Sequence, residues 1–104
     1  DIPSWATAQE FFSITKTTDA LSIVCPEANV PANVKAERGW RGLKVAGPLD
    51  FSQAGILVSL AEPLAKYTVS IFAISTHDTD YIFVQEKDLA RAIEVLRRTW
   101  EIEQ

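Results

Sequence analysis

Two short segments of this 104-residue chain carry the side chains best suited to binding chemistry. The first segment comprises Asp50, Phe51, Ser52, Gln53, Ala54, Gly55 and Ile56. It lies between a predicted strand and a predicted helix, and the first turn of a helix presents backbone N–H groups and partial positive charge that suit a carboxylate. Gly55 allows a ligand or another backbone to come close, and Asp50 offers a carboxylate for a ligand's amino group.

The same segment also has a purely structural interpretation. Asp50 or Ser52 is a candidate cap for the helix, because short polar side chains accept hydrogen bonds from first-turn N–H groups. Gly55 would then ease the packing of the helix against a sheet. On the residues alone, both interpretations remain open.

The second segment is Ser75-Thr76-His77-Asp78-Thr79-Asp80, which we predict to be a hairpin turn. We expect Ser75, Thr76 and Asp78 to approach a ligand held by the first segment. One histidine and two carboxylates in a short turn are a weak metal signal when no second cluster completes the shell. Turns rich in Thr and Asp are common, because these side chains bond to their own backbone. We therefore predict a solvated turn, with no metal and no other cofactor.

The composition argues against an enzyme. Only one histidine is present, and neither a Gly-x-Ser-x-Gly motif nor a phosphate-binding glycine-rich loop occurs. A Ser-His-Asp site needs a base oriented by a buried partner, and the chain offers little else for general acid–base catalysis. A small ferredoxin-like enzyme is therefore the least favoured function.

Charge and hydropathy narrow the possible partners. The net charge of −4, from 10 basic and 14 acidic residues, argues against a nucleic-acid partner, which requires a basic face. No apolar run approaches the roughly 18 residues of a membrane span. The single cysteine, Cys25, has no partner for an internal disulfide and ends an apolar run. We interpret it as a small buried residue in a reducing cytoplasm.

The periodicity from residue 40 onward predicts the elements that position both segments. The helices are predicted from residue 51 or 52 to about 66 and from 87 to about 100, because apolar residues recur on one face of each. Strands are predicted at 40–46, 69–75 and 79–85. The order strand, helix, strand, strand, helix predicts an α+β, ferredoxin-like βαββαβ unit with both helices on one face of an antiparallel sheet.

The N-terminal part nearly repeats this pattern sixty residues earlier, since residues 11–15 align with 71–75 and residues 21–24 with 81–84. Such a repeat predicts two units in tandem, which we place at 1–38 and 39–104. The first unit is expected to be incomplete, with a loop in place of its second helix and an opening strand missing upstream of Pro3. We expect the strands of both units to join in one continuous or closely abutting antiparallel sheet system.

Several stretches resemble a family of small bacterial and fungal ACT-domain proteins. These stretches occur in the order and spacing of the family, and they are Glu37 to Phe51, Gly55-Ile56-Leu57 with Ser59-Leu60, Ile71 to Thr76, and Asp78 to Tyr81. Proteins of this family carry two ACT-like units, similar to the regulatory tail of aspartate kinases and to the cytosolic arginine sensors. The resemblance covers nearly all of the chain.

The resemblance implies a regulatory, allosteric module that binds a small ligand, typically an amino acid. In related pairs the ligand sits where the first strand-to-helix loop of one unit meets the neighbouring unit. The alternative is a structural association module whose ligand site is vestigial. We also expect a cytoplasmic homodimer, because a shortened first unit leaves strand edges and apolar surface that a two-fold partner would cover.

Overall fold

Residues 1–45, 55–77 and 79–103 are described by the computed structural model, in which the chain separates into two units, Asp1–Arg38 and Gly39–Gln104. Six predicted site residues therefore lie outside the described residues, namely Asp50, Phe51, Ser52, Gln53, Ala54 and Asp78. Among the helices that are described, none has the length and apolar character needed to cross a membrane.

The first unit is built around a two-stranded antiparallel hairpin. Strand β1 (Ser13–Lys16) pairs with strand β2 (Leu21–Val24), in the register Ser13↔Val24 to Lys16↔Leu21. The hydroxyl of Thr17 accepts a hydrogen bond from the N–H of Ala20 at 3.0 Å and so closes the turn. One-turn 3-10 helices precede and follow the hairpin, at Ser4–Thr7 and Glu27–Asn29.

The second unit has the predicted order of strand, helix, strand, strand, helix. Its elements are β3 (Trp40–Lys44), α1 (Ile56–Lys66), β4 (Ile71–Ser75), β5 (Asp80–Gln85), a 3-10 turn (Glu86–Asp88) and α2 (Leu89–Leu96). The strands form an antiparallel sheet in the order β3-β5-β4, so β5 is the central strand. The prediction of an α+β, ferredoxin-like arrangement is confirmed for this unit.

Both helices pack on the same face of this sheet, as predicted. Ile82 and Val84 are alternate residues of β5 and point into one core, together with buried side chains from α1 and α2. The other buried members of the core are Val45, Leu60, Leu64, Val69, Ala92, Val95 and Leu96. Full burial of one large aliphatic side chain stabilises a fold by about 1.5–3 kcal/mol. The apolar stripes of the two helices therefore decide which way the helices face.

The helix-free face of the same sheet carries an aromatic cluster. Phe72 stacks on Phe83 with ring centroids 4.6 Å apart and an interplanar angle of 9°, and Trp40 meets Phe72 edge-on at 4.9 Å. Gly42 lies opposite Phe83 in the register, and a Cβ on Gly42 would come within 3.0 Å of Phe83 Cε1. The absence of a side chain at Gly42 is what lets the Phe83 ring lie over β3.

Two details of the predicted elements are wrong, namely the start of helix α1 and the end of helix α2. The described strands form a two-stranded and a three-stranded sheet rather than one continuous sheet, and a close abutment of the two sheets stays a prediction. Helix α1 begins at Ile56, not at residue 51 or 52, because Gly55 is the N-cap and has φ 89°, outside the helical region. Asp50 and Ser52, the two candidate caps, lie outside the described residues. Helix α2 ends at Leu96 rather than near Trp100, and Trp100 instead packs against the core from beyond the helix.

Candidate functional site

The end of β3 and the β4–β5 turn meet at one end of the second unit's sheet. Val45, the residue after β3, donates its N–H to the carbonyl of Asp80 at 2.9 Å. The carbonyl of Val45 in turn accepts a hydrogen bond from the hydroxyl of Thr79. Val45 precedes the connection that contains the first candidate segment, and Thr79 belongs to the turn that contains the second. These two hydrogen bonds therefore join Val45, at the end of β3, to the β4–β5 turn.

The β4–β5 turn is held by its own threonines. The N–H of Thr76 donates to the carbonyl of Thr79 at 2.8 Å, and the Thr76 hydroxyl accepts the N–H of Thr79 at 3.2 Å. Thr79 is only 7% exposed and is the one buried polar residue among those the structure describes. Its burial costs little, because its hydroxyl is satisfied by the carbonyl of Val45. The hydroxyls of both threonines thus stabilise the turn.

The start of α1 is the second part of the candidate site. Gly55 has φ 89° and ψ 3°, in the left-handed region that glycine enters without steric cost. The carbonyl of Gly55 accepts the N–H of Ser59 at 2.8 Å, so the N–H groups of residues 56–58 have no partner within the helix. The first turn contains no acidic side chain, and its partial positive charge is therefore not neutralised from within the turn. This end of α1 suits an anionic group.

Four of the ten predicted site residues are among the described residues. Gly55 is exposed at the start of α1, and Ile56 is half-buried against the core. Ser75 is the exposed last residue of β4, opposite Asp80, and Thr76 opens the turn. Ile56 therefore packs against the core, and Thr76 forms hydrogen bonds with Thr79 within the turn. Binding of a ligand by any of the ten remains a prediction.

Sequence reasoning placed Thr79 in the turn segment but missed its burial and its hydrogen bond to Val45. Its partner Val45 lies 34 positions away in the sequence, and no local pattern signals a hydrogen bond over that separation. A threonine beside aspartates in a turn is typical of a solvated residue, whereas Thr79 is buried. Only the pairing of β3 with β5 brings it to the end of β3.

A tyrosine whose pKa is perturbed lies at the other end of α1. Tyr67 follows the helix, and Nη1 of Arg98 donates a hydrogen bond to its hydroxyl at 2.7 Å. This hydrogen bond, followed by the positive charge of Arg98, lowers the pKa of Tyr67 below its ordinary value. Within the described ranges, no group of His, Cys, Asp and Glu side chains is arranged to hold a metal ion.

Comparison with known proteins relates most of the chain to one family. A family profile described as the ACT domain matches residues 35–98, which contain β3, α1, β4, β5 and α2. A separate profile, described as an N-terminal domain, matches residues 1–33.

Curated relatives include the cytosolic arginine sensor for mTORC1 subunit 1. The human protein is 40% identical over 63 residues, which are 60% of this chain and 19% of the relative. The cattle protein is 33% identical over 104 aligned positions, covering 89% of this chain and 32% of the relative. The chain therefore spans about a fifth to a third of the length of these curated relatives.

Among solved structures, an X-ray crystal structure of a protein from Agrobacterium tumefaciens has the same fold. It superposes with a TM-score of 0.87 at 39% sequence identity, and the match covers 94% of this chain and 73% of that one.

Proposed function

Because this chain belongs to the ACT-domain family, we propose that it is a non-catalytic regulatory module that binds a free amino acid. The observation that carries the proposal is the similarity to cytosolic arginine sensors, at 40% identity for the human protein and 33% for the cattle protein. The function in the name of these relatives is sensing of arginine. Arginine is therefore the first ligand to test on this chain.

We place the ligand at the end of the sheet where β3 and the β4–β5 turn meet. The carboxylate of the amino acid would lie against the N–H groups at the start of α1, after Gly55, because this turn contains no acidic side chain. The ammonium group would then be balanced by Asp50 or Asp78. The full proposed set is Asp50, Phe51, Ser52, Gln53, Ala54, Gly55, Ile56, Ser75, Thr76 and Asp78.

We extend the proposal to the setting in which the module works. The relatives are named as cytosolic proteins, and we propose the same compartment for this chain. We also propose that it forms a homodimer and has neither a nucleic-acid nor a membrane partner. The net charge of −4 supports the exclusion of nucleic acid.

The alternative is an association module whose ligand site is vestigial. One observation favours it, because the hydroxyl of Thr76 is already engaged with Thr79 inside the turn. A hydroxyl used in this way has less capacity left for a ligand. Under this alternative the contacts between Thr76, Thr79 and Val45 serve only to stabilise the fold.

Titration calorimetry against each of the twenty free amino acids, with arginine first, separates the two functions. A thermal-shift series provides the second measurement, because ligand at 100 times its dissociation constant stabilises the native state by about 2.7 kcal/mol. Saturable heat with one amino acid or a small group of them supports the sensor. The absence of both heat and thermal shift for all twenty would instead support the vestigial site.

Matched variants then locate the site. Asp50→Asn and Asp78→Asn remove the same charge from the two candidate partners of the ammonium group. Loss of a charge-assisted hydrogen bond weakens binding by about 1–3 kcal/mol, so one variant should lose roughly 5-fold to 150-fold in affinity while the other stays close to the parent. Unchanged affinity in both variants would place the ammonium group elsewhere.

A further inference from the structure

A basic corner lies beyond the end of α1 and is made of Lys66, Tyr67, Arg97 and Arg98. Lys66 is the last residue of α1 and Tyr67 follows it, while Arg97 follows the last residue of α2 and precedes Arg98. All four residues are exposed. An 11-residue helix is about 16 Å long, and Gly55 lies at the opposite end of α1. The basic corner is therefore a different region from the candidate amino-acid site.

Tyr67 and Arg98 hold each other in a defined geometry. Nη1 of Arg98 donates a hydrogen bond to the Tyr67 hydroxyl at 2.7 Å, and the guanidinium carbon lies 5.1 Å from the centre of the Tyr67 ring. This hydrogen bond, the charge of Arg98 and, more weakly, the charge of Lys66 lower the pKa of Tyr67. Because the phenol oxygen accepts from Arg98, its own O–H remains as a donor, and the guanidinium keeps further N–H donors.

A shallow depression of about 460 Å³ adjoins this pair and is lined by Glu94, Arg97 and Arg98. Its volume lies within the range of about 300–1,000 Å³ that is typical of small-molecule sites. The ion pairs found between described residues involve other side chains. Two guanidinium groups and one carboxylate therefore line the same depression without forming an ion pair with each other.

Stabilisation of the helix ends explains only part of this arrangement. Lys66 and Arg97 lie at the C-terminal ends of α1 and α2, where a cation offsets the partial negative charge of the helix. A basic side chain in this role often donates to the last carbonyls of its own helix. Within the described ranges, the side-chain hydrogen bond of Arg98 goes to Tyr67, beyond the other helix. The outward donors of the corner are thus left for a ligand.

We propose that the basic corner binds a small phosphomonoester that carries a hydrogen-bond donor close to its phosphoryl group. The phosphoryl oxygens would accept from Arg97, Arg98 and the O–H of Tyr67. A phosphomonoester carries about −1.5 to −2 charges near neutral pH, which three neighbouring cations can balance. Guanidinium groups also match the geometry of phosphate oxygens with two parallel hydrogen bonds. A carboxylate has one charge and two oxygens and would use fewer of these donors.

Glu94 narrows the class of ligand further. A carboxylate beside an anion site repels a bare anion, and the net charge of −4 adds to this repulsion. A ligand overcomes the repulsion when a hydroxyl or ammonium group next to its phosphoryl group donates to Glu94. The site should therefore prefer glycerol phosphate or phosphoethanolamine, which carry such a group, to methyl phosphate, which does not.

The first test titrates the full chain with these three compounds and follows its backbone amides by NMR. The titrations are run slightly above neutral pH, where the phosphoryl group is mostly dianionic, and at low ionic strength, because salt screens exposed charges. Shifts should concentrate at residues 66–68 and 94–98. Glycerol phosphate, phosphoethanolamine or both should bind more tightly than methyl phosphate, and the tighter of the two identifies the donor as hydroxyl or ammonium.

Matched variants then test the individual side chains. Arg98→Gln removes the guanidinium that contacts Tyr67 and should weaken binding of the preferred compound by about 5-fold or more. Arg91→Gln is the control, because it removes the same charge from the same helix at a side chain that is paired with Asp88. Its affinity should stay within about 2-fold of the parent. Glu94→Ala should abolish the preference over methyl phosphate.

Each result either supports or overturns this site. Absence of shifts at residues 66–68 and 94–98 with all three compounds would overturn it, as would equal losses in Arg98→Gln and Arg91→Gln. Equal affinity of the parent for all three compounds would overturn the role of Glu94 and the class of ligand. The NMR spectrum of each variant shows whether it is folded. Amino-acid binding is measured separately by calorimetry without phosphate, so the two proposals fail independently.

Discussion

Replacement of Gly55 by alanine should destabilise the second unit through backbone strain alone. Gly55 has φ 89°, and a Cβ built on it meets no atom within 4 Å, so the new methyl group has space but an unfavourable backbone conformation. A left-handed conformation costs a residue with a side chain roughly 1–2 kcal/mol. Replacing a glycine also lowers the conformational entropy of the unfolded chain, which stabilises the native state by about 0.4–1 kcal/mol. The net loss expected for Gly55→Ala is about 1 kcal/mol.

The chain offers a matched control and an internal check for this value. Gly39 has φ 84° and is likewise free of contacts to a built Cβ, so Gly39→Ala should cost about the same 1 kcal/mol. Asparagine tolerates the left-handed region better than alanine does. Gly55→Asn should therefore lose less stability than Gly55→Ala.

Urea unfolding followed by tryptophan fluorescence measures these differences. An unchanged slope of the free energy of unfolding against urea concentration shows that the substitution alters only the stability. In thermal unfolding, a loss of 1 kcal/mol lowers the midpoint by about 4–8 °C for a domain of this size. A Gly55→Ala protein as stable as the parent would refute the reasoning. Equal losses in the alanine and asparagine variants would also refute it, because strain in the left-handed region must distinguish the two residues.

Three further outcomes test other contacts. Gly42→Ala should lower the free energy of unfolding by about 1–3 kcal/mol, because the new Cβ would lie 3.0 Å from the Phe83 ring and overpack it. In a double-mutant cycle measured by urea unfolding, Phe83→Leu should reduce that loss. Thr79→Val should lower the free energy of unfolding by about 1–3 kcal/mol, because the carbonyl of Val45 loses its hydrogen-bond donor. Thr79→Ser, which keeps the hydroxyl, should stay close to the parent in the same assay. Arg98→Gln should raise the pKa of Tyr67, which the guanidinium lowers, as read from phenolate absorbance in a variant whose other tyrosine is phenylalanine. A lowered folded-state pKa stabilises the native state only at a pH where the phenol of Tyr67 ionises. The free energy of unfolding of Arg98→Gln should therefore fall further below that of its parent as the pH rises above neutral. This difference should persist above the pKa of the unfolded chain.

The elements of the second unit were predictable from sequence wherever periodicity and burial agree. Strands β4 and β5 lie within one or two residues of their predicted limits, because both are apolar runs bounded by a Thr- and Asp-rich turn. Helix α2 was predicted too long, since residues 97–100 continue the helical pattern while the packing of Trp100 takes the chain out of the helix. The start of α1 was misplaced because glycine is compatible with several conformations, and only the structure shows Gly55 in the left-handed one.

The candidate site was less predictable than the fold. The two segments were selected for their side chains and for a helix start, which are local features. The hydrogen bond between Thr79 and Val45 joins the β4–β5 turn to the end of β3, depends on the register of β3 against β5 and has no local signature. The same holds for the position of Gly42 over Phe83, because cross-strand neighbours are set by pairing and not by sequence distance.

The strand order β3-β5-β4 has a consequence for the order of folding. Strands β4 and β5 are joined by a short turn, whereas β3 pairs with β5 across the whole of α1, as in Lys44↔Tyr81. Closing the longer loop costs about 2 kcal/mol more in chain entropy than closing the hairpin. The β4–β5 hairpin should therefore form in the rate-limiting transition state and β3 should dock later. Substitutions in the hairpin should slow folding, while those confined to β3, such as Gly42→Ala, should mainly accelerate unfolding.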